Sequence, residues 1–158
     1  GKTTLLRVMK DNRISIHQPT IHPNNEELIV GNVRFNTFDL GGHEAARKLW
    51  RQYSIDIDGI VFLVDAQDSS RFTEAKNELQ SLLFDDLLRK TPILILGNKI
   101  DCQQAVSEYE LRDSLSLQMT SGKNNFNIED IRPIEVFMCS VVRKLGYQDG
   151  FEWLCKFI

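Results

Sequence analysis

Asn98-Lys99-Ile100-Asp101 closes the apolar run Ile93-Leu94-Ile95-Leu96-Gly97. A short, proline-led run of branched side chains reads as a buried parallel strand, and in an open α/β sheet ligands sit beyond the carboxyl ends of such strands. An aspartate there can accept two parallel hydrogen bonds, which guanine offers from its ring N–H and exocyclic amine. Adenine lacks the amine and turns a lone pair toward the same carboxylate. A site of buried polar groups discriminates strongly, because the wrong base leaves them unpaired. Asn98 and Lys99 fit as supports, one holding neighbouring loops and the other laying its alkyl stem along the base plane. Alone the pattern is weak, since asparagine and lysine are common in loops; it gains force from phosphate-type motifs upstream.

Gly1-Lys2-Thr3-Thr4 matches the tail of G-x-x-x-x-G-K-[ST]. In that loop backbone N–H groups cradle phosphates, the lysine meets the β/γ oxygens and the hydroxyl ligates Mg²⁺, with a helix N-terminus adding its dipole. Thr20 follows Pro19 and reads either as a turn hydroxyl or as a second Mg²⁺ oxygen sensing the γ-phosphate. Asp39-Leu40-Gly41-Gly42 ends a strand, where the aspartate can hold Mg²⁺ through water and Gly42 lets its N–H approach the γ-phosphate. A Gly-rich turn after a hairpin would not explain the acid. His43 stands where a group orienting the attacking water would lie, and such chemistry rests on positioning and electrostatics; His17 and His22 take the structural default. Cys139-Ser140-Val141 can present backbone N–H groups to the guanine oxygen. The terminal Cys155-Lys156-Phe157-Ile158 imitates a lipidation box, but the helical spacing of Phe151, Leu154, Cys155 and Ile158 makes Cys155 a core contact instead.

The elements that must position these residues follow from pattern. A helix starts at the threonines and frays near Asp11-Asn12. Residues 14–25 read as a loop. Glu27 to Val30 and Val33 to Phe38 form a hairpin about Gly31-Asn32. A helix runs from Glu44 through Tyr53, a buried strand from Gly59 to Asp65, and a helix capped by Ser69 or Ser70 to about Arg89. Ser107 with Glu110 makes a capping box for a helix to about Leu115. Residues 116–130 read as an irregular surface insertion, Pro133 to Cys139 as the last strand, and Gly150 to Ile158 as a terminal helix. Strands alternating with helices imply an α/β fold with a mostly parallel sheet and an antiparallel edge.

The 158 residues, 42% hydrophobic and 26% charged, suit one domain with a sizeable core. A net charge of −3 with both signs interspersed argues against nucleic acid as the partner. Three cysteines at unrelated spacings give no zinc or disulfide framework and point to a reducing, intracellular compartment.

Together these residues resemble a small Ras-superfamily GTPase, and more narrowly the Sar type of its Arf/Sar branch. The discriminating stretches are Pro19 to Pro23, Glu26-Glu27-Leu28, Phe38 to Glu44, Glu135 to Val141 and Gly150 to Leu154; Ras and Arf members place glutamine where His43 stands. The resemblance implies a three-layer, P-loop (Ras-like) GTPase domain over 1–158. It implies GTP/GDP and Mg²⁺ as ligands, with Gly1, Lys2, Thr3, Thr4, Thr20, Gly42, Asn98, Lys99, Asp101, Ser140 and Val141 binding nucleotide. Thr3, Thr20 and Asp39 hold the metal, and His43 is catalytic. It further implies a switch at endoplasmic reticulum and Golgi membranes, from the cytoplasmic side. The GTP form recruits an inner-coat heterodimer with a GTPase-activating subunit, a membrane-bound exchange factor reloads it, and an N-terminal amphipathic helix meets the bilayer. An Arf-like GTPase of another membrane, or a non-hydrolysing binding module, are the rival readings.

Against that pattern the sequence lacks the amphipathic helix, the first strand and the front of the phosphate loop. The first strand is central in such sheets, and each buried hydrogen bond left unmade costs about 1–3 kcal/mol. The isolated 158-residue chain is therefore expected not to fold stably or bind GTP. A cooperative melt with tight GTP binding by that purified chain overturns the expectation.

Overall fold

The structure is a computed structural model that describes residues 1–11, 24–30, 32–124 and 132–158. Two compact units divide the chain, Gly1–Ile57 and Asp58–Ile158.

In the first unit, helix α1 (Lys2–Asp11) buries Leu5 and Val8, three residues apart on one face. It lies on strands β1 (Asn24–Val30) and β2 (Val33–Asp39), with Lys10 paired to Glu26 at 2.5 Å. The hairpin is antiparallel, from Asn24 opposite Asp39 to Val30 opposite Val33. Along β2 the less exposed positions alternate as Val33, Phe35, Thr37 and Asp39. The two-residue pleat thus carries Asp39 to the inner face, where it is buried. The predicted helix from Glu44 through Tyr53 is broken: α2 covers Glu44–Arg47 and a 3-10 turn covers Trp50–Tyr53. Only Ala46 of these segments is buried, so no apolar stripe holds a longer helix together.

In the second unit, β3 (Ile60–Asp65), β4 (Ile93–Asn98) and β5 (Ile134–Cys139) form a parallel sheet in that order. Asp65, Asn98 and Cys139 stand in register at the carboxyl ends. Every residue of central β4 is buried, which explains a run with no polar alternation. Its two faces meet different helices. A Cβ at Gly150 of α5 (Tyr147–Leu154) would lie 3.0 Å from Leu94 and 3.2 Å from Leu96. One at Gly97 would lie 2.6 Å from Leu111 of α4 (Glu108–Ser114). With α3 (Phe72–Leu83) beside α4, this unit has three layers.

The Ser107–Glu110 capping box is present, Ser107 N–H donating at 2.8 Å and Glu110 N–H at 3.2 Å. Other boundaries differ from the sequence reading. Neither Ser69 nor Ser70 caps α3: Ser70 donates instead to Asp68 at 2.5 Å, and a 3-10 turn precedes the helix. The helix stops at Leu83 rather than near Arg89, because extended Asp85 accepts Leu87 N–H at 3.0 Å and starts a new turn. Helix α5 begins three residues early, after Gly146 at φ 79°, where a Cβ would meet the Met138 carbonyl at 2.2 Å. It ends at Leu154, leaving Cys155 half-buried rather than in the core and Ile158 exposed.

The described strands are three parallel strands and one antiparallel pair, the α/β arrangement expected from the sequence. Among the described residues no helix is long and apolar enough to cross a membrane.

The expected surface insertion is irregular through residue 124, yet it is anchored. Glu135, 1% exposed, pairs with Arg112 and accepts from Thr120 Oγ1 at 2.9 Å and Gly122 N–H at 2.8 Å. Trp153 Nε1 donates to the Gly122 carbonyl at 3.3 Å, and Leu117 is buried. A buried carboxylate is tolerated only when fully bonded. Replacing Glu135 with alanine leaves Gly122 N–H without its acceptor and Arg112 with Glu108 as its remaining carboxylate partner, and is expected to cost about 2 kcal/mol, read as a fall in urea midpoint at constant slope. A loss below roughly 1 kcal/mol would show that the anchor is not structural.

Candidate functional site

The first unit gathers one set of the predicted residues. Lys2 and Thr3 occupy the first turn of α1, with half-buried Thr4 after them and exposed Gly1 before, its carbonyl accepting Leu5 N–H at 2.8 Å. Thr3 Oγ1 donates to Asp39 Oδ2 at 2.5 Å across from the end of β2, and Asp39 is 3% exposed. Lys2 reaches the glycine pair: a Cβ on Gly42 would lie 2.6 Å from its Nζ. Only glycine leaves the ammonium that close to the backbone. Trp50 Nε1 pins the loop by donating to the Gly41 carbonyl at 2.9 Å. His43 is exposed at the N-cap of α2, in extended backbone. Its carbonyl takes Ala46 and Arg47 N–H at 2.9 and 3.1 Å while its ring makes no capping bond. Thr20 lies outside the described residues.

The hydroxyl and carboxylate pair of Thr3 and Asp39 fits Mg²⁺, a hard cation that takes oxygen ligands. Among the described residues no cluster of three or more His, Cys, Asp and Glu side chains assembles. Mg²⁺ needs no such cage, since it keeps waters and substrate phosphate oxygens.

The second unit gathers the others at the ends of β4 and β5. Asn98 Oδ1, buried, accepts Val141 N–H at 3.0 Å and the Cys139 thiol at 3.8 Å. Burial pushes that thiol up to about 12, so it stays a neutral, weak donor. Ser140 Oγ, fully buried, donates to Asp101 Oδ1 and accepts Arg143 N–H at 3.1 Å. The Ser140 hydroxyl foremost, with Arg143 and Lys99 nearby, holds the Asp101 carboxyl below the usual carboxylate range. Asp101 is thus an exposed, ionised double acceptor. Lys99 sits in the left-handed region at φ 73°, and its ammonium pairs with Asp65 at 2.5 Å.

The backbone donors that follow β5 have partners within the protein. Val141 N–H donates to Asn98, and Ser140 N–H donates to the Leu145 carbonyl at 3.0 Å. The donors assigned to a guanine oxygen are both engaged within the protein. Ser140 instead orients Asp101 through its hydroxyl. Asp65 is a residue the sequence reading passes over, although an acid closing an apolar strand is the signal that marked Asp39. Trp50 carries no local signal for its bond to Gly41.

The comparisons agree over the whole chain. The ADP-ribosylation factor family matches residues 1–158. The small COPII coat GTPase SAR1 of Giardia intestinalis is 51% identical over 160 residues, covering all of this chain and 84% of that protein. That of Nicotiana tabacum is 41% identical over 166 residues with the same coverage. The Arl6 BBS3 small GTPase of Trypanosoma brucei, solved with the nucleotide analogue GppNp, superposes with a TM-score of 0.83 at 31% identity. It covers 99% of this chain and 89% of that one. The chain belongs to the ADP-ribosylation factor family, on its Sar branch, and is a GTP-hydrolysing enzyme of Ras-like α/β fold.

Proposed function

We propose that this protein is the GTP-driven switch of COPII vesicle formation at the endoplasmic reticulum, with residues 1–158 as one GTPase domain. The observation that carries the nucleotide reading is Asp101, ionised, exposed and oriented by the buried Ser140 hydroxyl. Its two acceptor oxygens suit guanine's ring N–H and 2-amino group, and Lys99 supplies a face for the ring. Lys2 meets the terminal phosphates, and the glycine at position 42 leaves room for its ammonium. Thr3 and Asp39, joined by Thr20, hold Mg²⁺, which when bound neutralises phosphate charge. His43, its ring uncommitted to capping, orients the attacking water.

Similarity to relatives named as COPII coat GTPases supports the biological assignment. In its GTP form the protein recruits an inner-coat heterodimer, one subunit of which accelerates hydrolysis. A membrane-bound exchange factor reloads GTP, and an N-terminal amphipathic helix meets the bilayer on the way to the Golgi.

Asp101→Asn exchanges an acceptor for a donor facing the 2-position, so preference moves from guanine toward xanthine nucleotides by roughly three orders of magnitude in direct competition. An unchanged preference sinks the base assignment. His43→Gly in the intact protein slows coat-stimulated hydrolysis roughly 10²-fold while GTP affinity holds. Hydrolysis at the normal rate removes His43 from the mechanism.

A further inference from the structure

Asp65 ends β3 directly beside Asn98, the last residue of β4. The next residue, Lys99, takes the left-handed conformation at φ 73°, which is uncommon for a side-chain-bearing residue. Surrounding bonds hold the turn: Ile100 N–H to the Cys139 carbonyl at 3.2 Å, Cys102 N–H to the Lys99 carbonyl at 3.0 Å, and Ala66 N–H to the Asn98 carbonyl at 2.8 Å. From there the lysine side chain crosses to the end of the neighbouring strand, where its ammonium meets Asp65 Oδ2 at 2.5 Å. The strands are about 4.8 Å apart, so the four-carbon stem spans the gap between their carboxyl ends. Asp65 is itself fixed, its Oδ1 accepting Gln67 N–H at 3.2 Å.

We propose that Asp65 is a positioning residue of the guanine site: its carboxylate clamps the Lys99 ammonium so that the lysine stem lies preset as the platform for the purine face. The inference rests on the base assignment made above for Lys99 and Asp101. Lysine is among the most rotamer-rich side chains, and ordering it during binding would subtract from affinity. With the ammonium tethered, that ordering precedes the ligand. A platform under the ring face does not distinguish purines; the edge does, and the edge belongs to Asp101. The clamp therefore sets how long a purine nucleotide stays, not which one.

The test measures release of a fluorescent GDP from the intact protein. Asp65→Asn keeps an acceptor for Gln67 and removes the charge. It is expected to speed release about fivefold, the scale of a half-exposed ion pair, with the ratio of GDP to inosine diphosphate affinity unchanged. Lys99→Met keeps an apolar stem without the ammonium; in that background Asp65→Asn is expected to add nothing. Unchanged release in Asp65→Asn, a full additional effect in the Lys99→Met background, or a changed GDP to inosine diphosphate ratio overturns the clamp. Asp101→Asn, run in parallel, separates the two levels. If it leaves guanine preference intact, the base assignment falls and the clamp with it. If it shifts preference while Asp65→Asn releases normally, the clamp alone falls.

Discussion

Parallel pairing in register is the constraint from which the polar cluster at the carboxyl ends of β3, β4 and β5 follows. Because Asp65, Asn98 and Cys139 stand level, three strand ends deliver their next residues to one place. Asn98 can then reach across to Val141, Asp101 to Ser140, and Lys99 back to Asp65. A slip of one residue in either pairing would turn each of these side chains to the opposite face of the sheet. The register is specified by β4, buried along its whole length between Gly150 of α5 on one side and Leu111 of α4 on the other. Close packing at Gly97 and Gly150, where an added Cβ would press on Leu111 and on Leu94, favours one position for the strand. Hydrophobic burial thus does more here than stabilise: it fixes the address of every polar group that follows.

Two carboxylates in the same unit show how bonding separates structure from chemistry. Glu135 is sealed and fully employed, taking Arg112, Thr120 and the Gly122 N–H. Nothing is left over for a ligand. Asp101 is exposed, with one oxygen held by Ser140 and the other 4.0 Å from the Cys102 thiol. Cost follows the same division. An uncompensated charge at position 135 would sit in low dielectric, whereas the exposed carboxylate of Asp101 faces solvent. The serine hydroxyl aims the carboxylate without neutralising it, and the low proton affinity that results keeps it an acceptor.

The strands, the order of elements and the motif positions were legible in the sequence because each rests on a strong local signal. The uninterrupted Ile93 to Gly97 run announced a strand buried on both faces, and Ser107 with Glu110 announced a helix start that the structure reproduces. What escaped depends on partners distant in sequence. Asp85 stops α3 through a turn of its own, and no periodicity marks it. Residues 116–124 look like a loop because they are polar, yet Glu135 and Trp153 hold them from far along the chain. The N–H groups of Ser140 and Val141 looked available because backbone donors carry no residue type; their engagement is visible only in three dimensions. Asp65 escaped for another reason: its partner Lys99 is separated from it by all of α3 and β4.

The cap of α2 departs from local preference, and that departure is informative. A four-residue helix gains most from a Ser, Asp or Asn at its N-cap, worth about 1 kcal/mol over a side chain that cannot cap. His43 occupies that place and its ring makes no capping bond, while its carbonyl alone closes the first turn. The backbone is therefore held by the helix and the ring is released from it. Sequences tend to agree with local rules except where function overrides them. The loop beside His43 is otherwise well determined, with Gly41 tied to Trp50 and Gly42 fitted against Lys2. An exposed imidazole on so constrained a segment has a fixed origin and a free tip. That combination suits a group that must place a water molecule rather than bind tightly to anything.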